Sequence, residues 1–383
     1  MEIDYNKIFK YKTIALKLNQ CHPDIPKDRK WFFRFSIMHG LYTLQFLTII
    51  YNIIHHDLGA NDLSKTCKDG ALAVTYTVVT FNYWVMLSKD HLLKDIFETM
   101  RNDLKLANLL NREAQDVVLS HAQRGEWVNK IWLIFTFSGG ALFVVENVLL
   151  NIYSYTSEDF KLLPVYDFVY PAVIDDLKDN LLVYFILYAF FVYYLIYSVA
   201  MYTSFVALGP TFILHSCGQL ELLIQRVDNL FVEENQKVDA EIRSVVVKLQ
   251  QIYGFVENTK DTFKVAYEFI LKSSILTTPV SAYCLKYVSC FIYCNNNIML
   301  SKTKINYAIY YIILLHFQSE KFRQAIYSCG WERFYDRRAR SSISLILLRA
   351  LRPVAIRTMF STVCMTIIQQ SYTIFNLMNA MWE

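Results

Sequence analysis

The sequence predicts an all-α membrane protein. It has seven transmembrane helices, a cytoplasmic N-terminus, an extracellular C-terminus and helical extensions into the cytoplasm. Three observations predict this. First, seven apolar stretches punctuate the 383 residues, at 32–54, 71–88, 131–152, 181–208, 267–294, 305–318 and 358–382. Several hold about 18–25 residues, enough helix to cross a hydrocarbon core of roughly 30 Å. Second, 54% of residues are hydrophobic, 16% aromatic and only 19% charged, less charge than a soluble domain carries. Third, Lys and Arg sort to alternate sides. The segment through residue 34 and those joining stretches 2–3, 4–5 and 6–7 hold 8, 7, 6 and 9 of them. The other connections hold two each: Lys65 and Lys68, Lys161 and Lys178, Lys302 and Lys304. Basic loops stay in the cytoplasm. A G-protein-coupled receptor has the opposite orientation, and its D/ERY and NPxxY signatures are missing. The net charge of +4 follows these loops, so it marks topology rather than a nucleic-acid patch.

The elements follow in order within one seven-helix domain, 1–383. Residues 1–30 form a polar, basic cytoplasmic segment with no signal-peptide cleavage site, so the first helix is its own uncleaved anchor. Ile8, Phe9, Ile14, Leu16 and Leu18 make an amphipathic piece suited to the inner membrane surface. Residues 32–318 hold helices 1–6, with a ligand pocket in their outer half. His55 and His56 end helix 1 and read as an exposed pair, with a metal site as the alternative. From Ser88 to Gly125, Leu93, Ile96, Phe97, Met100 and Leu104 recur at helical spacing. Leu220, Leu223, Ile224, Val227 and Leu230 mark another helix, and Val238, Ile242, Val245, Leu249 and Ile252 the next. These stripes need partners, which predicts a cytoplasmic helical bundle. Residues 319–357 form a cytoplasmic anchor segment.

The outer loop after helix 3 carries six acidic residues, Glu158, Asp159, Asp167, Asp175, Asp176 and Asp179, against two lysines. It also holds Pro164 and Pro171 among aromatics. Two readings stand: an ordered lid, or an exposed linker that is acidic because acidic residues translocate easily. Lys272 reads as the inner edge of helix 5, and Lys286 as a snorkelling residue.

Nothing in the sequence points to catalysis. Nucleotide-binding glycine loops, the HExxH and GxSxG signatures and Cys/His metal clusters are all absent, so no cofactor or metal is implied. The chain has no N-x-Ser/Thr sequon. Its eight cysteines form no disulfide framework, although Cys67 and Cys294 both fall at the outer side and their pairing stays open.

The outer halves of the helices suggest a different function. Tyr76, Tyr83, Phe143, Tyr184, Tyr188, Tyr307 and Tyr310 crowd there, with Val79 and Glu146 beside them. Aromatic-lined cavities with few polar groups suit small apolar ligands. Packing is the competing reading for each aromatic, and facing the outer water is the competing reading for Glu146. In the last helix, 358–382, Thr366, Gln370 and Thr373 make a polar stripe that Leu377, Ala380 and Met381 continue. A polar stripe in a membrane helix faces protein or water. It reads either as glue between helices or as a pore lining that narrows to an apolar gate.

The C-terminal residues resemble the insect odorant receptor family. Ala325–Ile326–Tyr327 with Trp331, then Arg349–Ala350 with Arg352–Pro353, then Ser371–Tyr372–Thr373–Ile374–Phe375, are similar in order and spacing to that family's A-x-Y…W, R-A…(K/R)-P and S-Y-x-x-F. Leu163–Pro164…Tyr170–Pro171 also resembles the family's outer loop. The resemblance implies a tetrameric, ligand-gated, non-selective cation channel in the plasma membrane of sensory dendrites. A variable subunit binds small volatile odorants, and a coreceptor subunit is its partner. It implies odorant binding among helices 2, 3, 4 and 6. It also implies a pore lined by the last helix, with the gate at Leu377 and Met381. The connection between helices 4 and 5 is short, unlike the coreceptor's, which points to the odorant-tuning subunit. The ending typical of gustatory receptors is absent. One departure stands out: the family's C-x-x-G-N segment is missing after helix 6, and 305–318 spans only about 21 Å as a helix. Helix 6 is therefore either shortened or begins near Ile298. The alternative functions are a seven-helix receptor signalling to cytoplasmic partners without conducting ions, and a related gustatory-type channel.

Overall fold

The computed structural model describes residues 4–59, 63–156, 162–231 (without 167, 171, 176, 178 and 179), 238–287 and 311–351 (without 312, 334 and 335). These residues are almost entirely helical, and no strand occurs among them. The helices are α1 (Tyr5–Ile8), α2 (Lys10–Leu18), α3 (Arg29–Asn52), α4 (Leu63–Ser88), α5 (Asp90–Ala107), α6 (Arg112–Tyr155), α7 (Ala172–Asp175), α8 (Leu181–Val206), α9 (Leu208–Asp228) and α10 (Val238–Tyr287). Residues 313–328 form α11, and Arg337–Ala350 forms α12. A π-turn, Ile53–Asp57, extends α3.

Local chemistry sets the ends of these helices. Asp28, Asn111, Asn180 and Asp336 each accept a backbone N–H of the first turn, at 2.7, 3.0, 3.0 and 2.8 Å. Pro210 lacks an N–H and crowds the carbonyl four residues back, so α8 stops at Val206 and α9 restarts at Leu208.

Four described helical segments are long and apolar enough to cross a membrane: Arg29–Asp57, Lys65–Ser88, Arg112–Tyr155 and Leu181–Asp228. In the most apolar window of Arg112–Tyr155 only 11% of residues are buried, with Ile134, Phe137, Leu149 and Ile152 exposed. An apolar surface of that extent belongs against lipid. The predicted last helix, 358–382, lies outside the described residues, as do 298–310 and Cys294. At the inner end of helix 6, α11 runs unbroken past residue 318 to 328.

The cytoplasmic bundle follows its periodicity. Leu93, Ile96, Phe97, Met100 and Leu104 of α5 are buried, as are Leu220, Leu223 and Val227 of α9. Val238, Ile242, Val245, Leu249 and Ile252 of α10 are buried too. The helices run further than the apolar stretches: α6 has 44 residues and α10 has 50. At 1.5 Å per residue these are about 66 and 75 Å long, so both join membrane and cytoplasmic parts without a break. Lys272 ion-pairs with Glu268, one turn back, at 2.8 Å. Part of the N-terminal stripe turns inward instead of lying on a membrane surface. Phe9 and Leu16 are buried in the bundle, Asn19 hydrogen-bonds Ser204, and only Ile14 and Leu18 stay exposed.

Asp103 clamps three helices. Its carboxylate meets Lys248 Nζ of α10 at 2.6 Å and His215 Nε2 of α9 at 3.0 Å. Burial pushes this carboxyl up, but His215 and Lys248 outweigh it and hold it below the usual range. In α12, Arg349 stacks over the Tyr253 ring at 3.9 Å and Ala350 is buried, which gives the R-A pair a packing role.

Close helix approach depends on glycine. A Cβ at Gly209 would lie 1.8 Å from Tyr267 Oη and 2.8 Å from its Cζ. Gly209→Ala should therefore displace that ring and cost about 1–3 kcal/mol by overpacking. Thermal melting of the detergent-solubilised protein measures this, and adding Tyr267→Leu should recover part of the loss. A Gly209→Ala melt equal to wild type would show that the close approach is dispensable.

Candidate functional site

A cavity of about 130 Å³ lies at the outer end, between α8 and the loop before it. Tyr184, Leu187, Tyr188 and Phe191 line one side, and their i, i+3, i+4, i+7 spacing puts them on one face of α8. Leu162, Pro164, Val165, Tyr166, Phe168 and Tyr170 close it from the loop. An apolar cavity of about 150 Å³ holds a benzene ring, so this one is of a size for a small aromatic or aliphatic molecule.

The described residues of the loop over the cavity are folded rather than a free linker. At one end the Leu163 carbonyl accepts from Asn147 Nδ2 at 2.8 Å, Asn151 Nδ2 at 2.9 Å and the Tyr184 hydroxyl at 3.0 Å. The Leu163 N–H donates to Asn151 Oδ1 at 2.8 Å. Asn147 and Asn151 stand one turn apart on α6, so both reach the same backbone.

At the other end the loop meets a buried polar cluster. The Tyr166 hydroxyl donates to Asp69, and Val169 N–H donates to Asn52 Oδ1 at 2.9 Å. Asn52 Nδ2 donates to Asp69 and faces both oxygens of Asp57 at 3.4 and 3.5 Å. Asn52, Asp57 and Asp69 are each no more than 1% exposed. The π-turn is what returns Asp57, five residues on, to the face of Asn52. His56 Nδ1 lies 3.7 Å from Asp57.

The structure separates the ligand residues expected from sequence. Tyr184 and Tyr188 line the cavity together. Tyr76 is buried below it, stacked on Phe46 at 4.0 Å and hydrogen-bonded to Thr43 at 2.8 Å. A ladder of rings joins it to the cavity: Phe191 to Tyr194 at 6.1 Å, Tyr194 to Tyr42 at 4.9 Å, Tyr42 to Tyr76 at 4.8 Å. Val79 is buried, and Tyr83 sits further along α4, donating to the Asn19 carbonyl at 2.7 Å. Phe143 is half-buried against the core. Glu146 is exposed and outside the described lining, whereas its neighbour Asn147 holds the loop. Tyr307, Tyr310, Thr366, Gln370, Thr373, Leu377, Ala380 and Met381 lie outside the described residues. Sequence reasoning missed Asn52, Asp69, Asn147, Asn151 and Tyr166. The available signal was polar side chains within apolar helices, which must find partners. Among the described residues no group of three or more His, Cys, Asp or Glu is placed to hold a metal ion.

Residues 62–371 match the sequence model of the family described as 7tm Odorant receptor. The chain belongs to the odorant receptor family. This receptor also shares its fold with the insect olfactory receptor OR5 from Machilis hrabei, at a TM-score of 0.76 and 13% identity over 97% of this chain and 98% of that one. The structure of OR5 in complex with eugenol gives the same TM-score at 14% identity and the same coverage. No curated protein matches the receptor's sequence. The family is one of receptors, not of enzymes, and the membrane-spanning helices make this member a multi-pass membrane protein.

Proposed function

We propose that this odorant receptor is the odorant-binding subunit of a heteromeric, ligand-gated, non-selective cation channel. In this reading it assembles with a coreceptor subunit in the plasma membrane of sensory dendrites. The observation that carries the reading is the aromatic cavity closed by an anchored outer loop, in a chain whose family detects odorants. Tyr166, Tyr184, Tyr188 and Phe191 supply apolar contact. OR5, which shares the fold, binds eugenol, a small phenolic volatile. That supports a volatile of similar size as the ligand class here. Tyr76 and Val79 form the deeper wall that a larger ligand would reach, and Tyr83, Phe143, Glu146, Tyr307 and Tyr310 stay candidates around it. The last helix lines the pore through Thr366, Gln370 and Thr373, with Leu377, Ala380 and Met381 at its gate. Ligand binding shifts a closed–open equilibrium only by its preference for the open state.

The test is whole-cell current in response to a panel of volatiles. Co-expression with a coreceptor should give robust evoked currents, and the chain alone should give little. Equal currents in both conditions would refute the tuning-subunit reading. Currents lost when G-protein signalling is blocked would refute the channel.

A further inference from the structure

No residue of helix α3 is in the described lining of the cavity, yet its last residue, Asn52, is hydrogen-bonded to the loop that covers it. Asn52 uses its whole amide group: Nδ2 toward Asp57 and Asp69, Oδ1 toward the Val169 N–H. Asp69 in turn accepts from Tyr166, whose ring lines the cavity. Asn52 and Asp69 are buried, so lifting the loop takes from Asn52 Oδ1 its Val169 N–H donor and leaves Asp69 with Asn52 Nδ2 but without the Tyr166 hydroxyl, until water enters. A buried polar group stripped of its partner is costly until water reaches it. The far end of the loop is pinned separately, at Leu163. The loop is therefore held at Leu163 on one side and at Tyr166 and Val169 on the other, and Tyr166 is the joint at which cavity wall and latch meet.

We infer that Asn52, acting through Asp69 and Asp57, is the positioning residue that latches the outer loop shut over the cavity, so that the Asp69–Tyr166 hydrogen bond sets the rate at which molecules enter and leave. This rests on reading the cavity as the ligand site, but its test needs no ligand. A reporter cysteine, Leu187→Cys, is placed in the lining and labelled in the full chain on cells by a membrane-impermeant thiol reagent applied outside. Rates are read against the same variants without the reporter. Tyr166→Phe keeps the ring and removes the hydroxyl. It should raise the labelling rate about tenfold, equivalent to about 1.4 kcal/mol, with surface expression and melting temperature unchanged. Asp69→Ala should do the same, and the double variant should be no faster than either single one, because both act through one bond. Asn52→Ala should be fastest, since it also frees Val169. Unchanged labelling in Tyr166→Phe would overturn the inference, as would additive effects in the double variant or a reporter that no variant exposes. Faster labelling in a chain that gives no odorant current even when co-expressed with a coreceptor would leave the latch standing and sink the channel reading.

Discussion

Asp103→Ala is expected to loosen the cytoplasmic bundle by about 2–3 kcal/mol. Breaking a buried ion pair costs about 3–5 kcal/mol when the remaining charge stays trapped. Here the cost sits lower because Lys248 is 22% exposed and can turn toward water. The clamp still joins α5, α9 and α10, so its loss should appear as a lower melting temperature in detergent and reduced surface expression. Asp103→Asn keeps an acceptor for Lys248 and should lose less. The pH dependence has a definite sign. The carboxyl is held below its ordinary 3.8 in the fold, so its stabilisation is complete above that value and is lost as pH falls below it. Asp103→Ala should therefore flatten the acid limb of the melting curve. Melting within about a degree of wild type would show that Asp103 is not a clamp.

Leu377→Ser is expected to raise the ligand-free current several-fold when the chain is co-expressed with a coreceptor. In the proposed pore, Leu377 lies near the outer end of a helix that is polar through Thr366, Gln370 and Thr373 and apolar beyond. A ring of such side chains closes a pore by dewetting, and a hydroxyl in their place favours water. Coreceptor subunits would still supply their own gate residues, so the effect is partial. Met378 lies about 100° round the helix, and Met378→Ser should change basal current less. The readouts are basal current and cation permeability at matched surface expression. If Met378→Ser altered both while Leu377→Ser altered neither, the pore-facing register would have to rotate.

What the sequence alone determined about this protein is local or one-dimensional. Apolar runs of membrane length, Lys and Arg on alternate sides, and stripes such as Leu93–Ile96–Met100–Leu104 and Val238–Ile242–Val245–Leu249 all follow from the 3.6-residue period and the cost of moving charge across lipid. The stripes are buried as their spacing requires. The tertiary structure alone decided the rest. Glu146 read equally as a pocket residue or as one facing the outer water; it is exposed, and Asn147, about 100° round α6, is the one that holds the loop. The outer loop read equally well as lid or linker, because its order depends on Asn52 meeting Val169 and Asp69 meeting Tyr166, pairs separated by 117 and 97 residues. Asn52 and Asp57 face each other only because a π-turn replaces the ordinary helical step. Periodicity shows which side of a helix must be covered. It carries no record of which distant backbone group will satisfy a buried amide, because that choice is made when the helices pack.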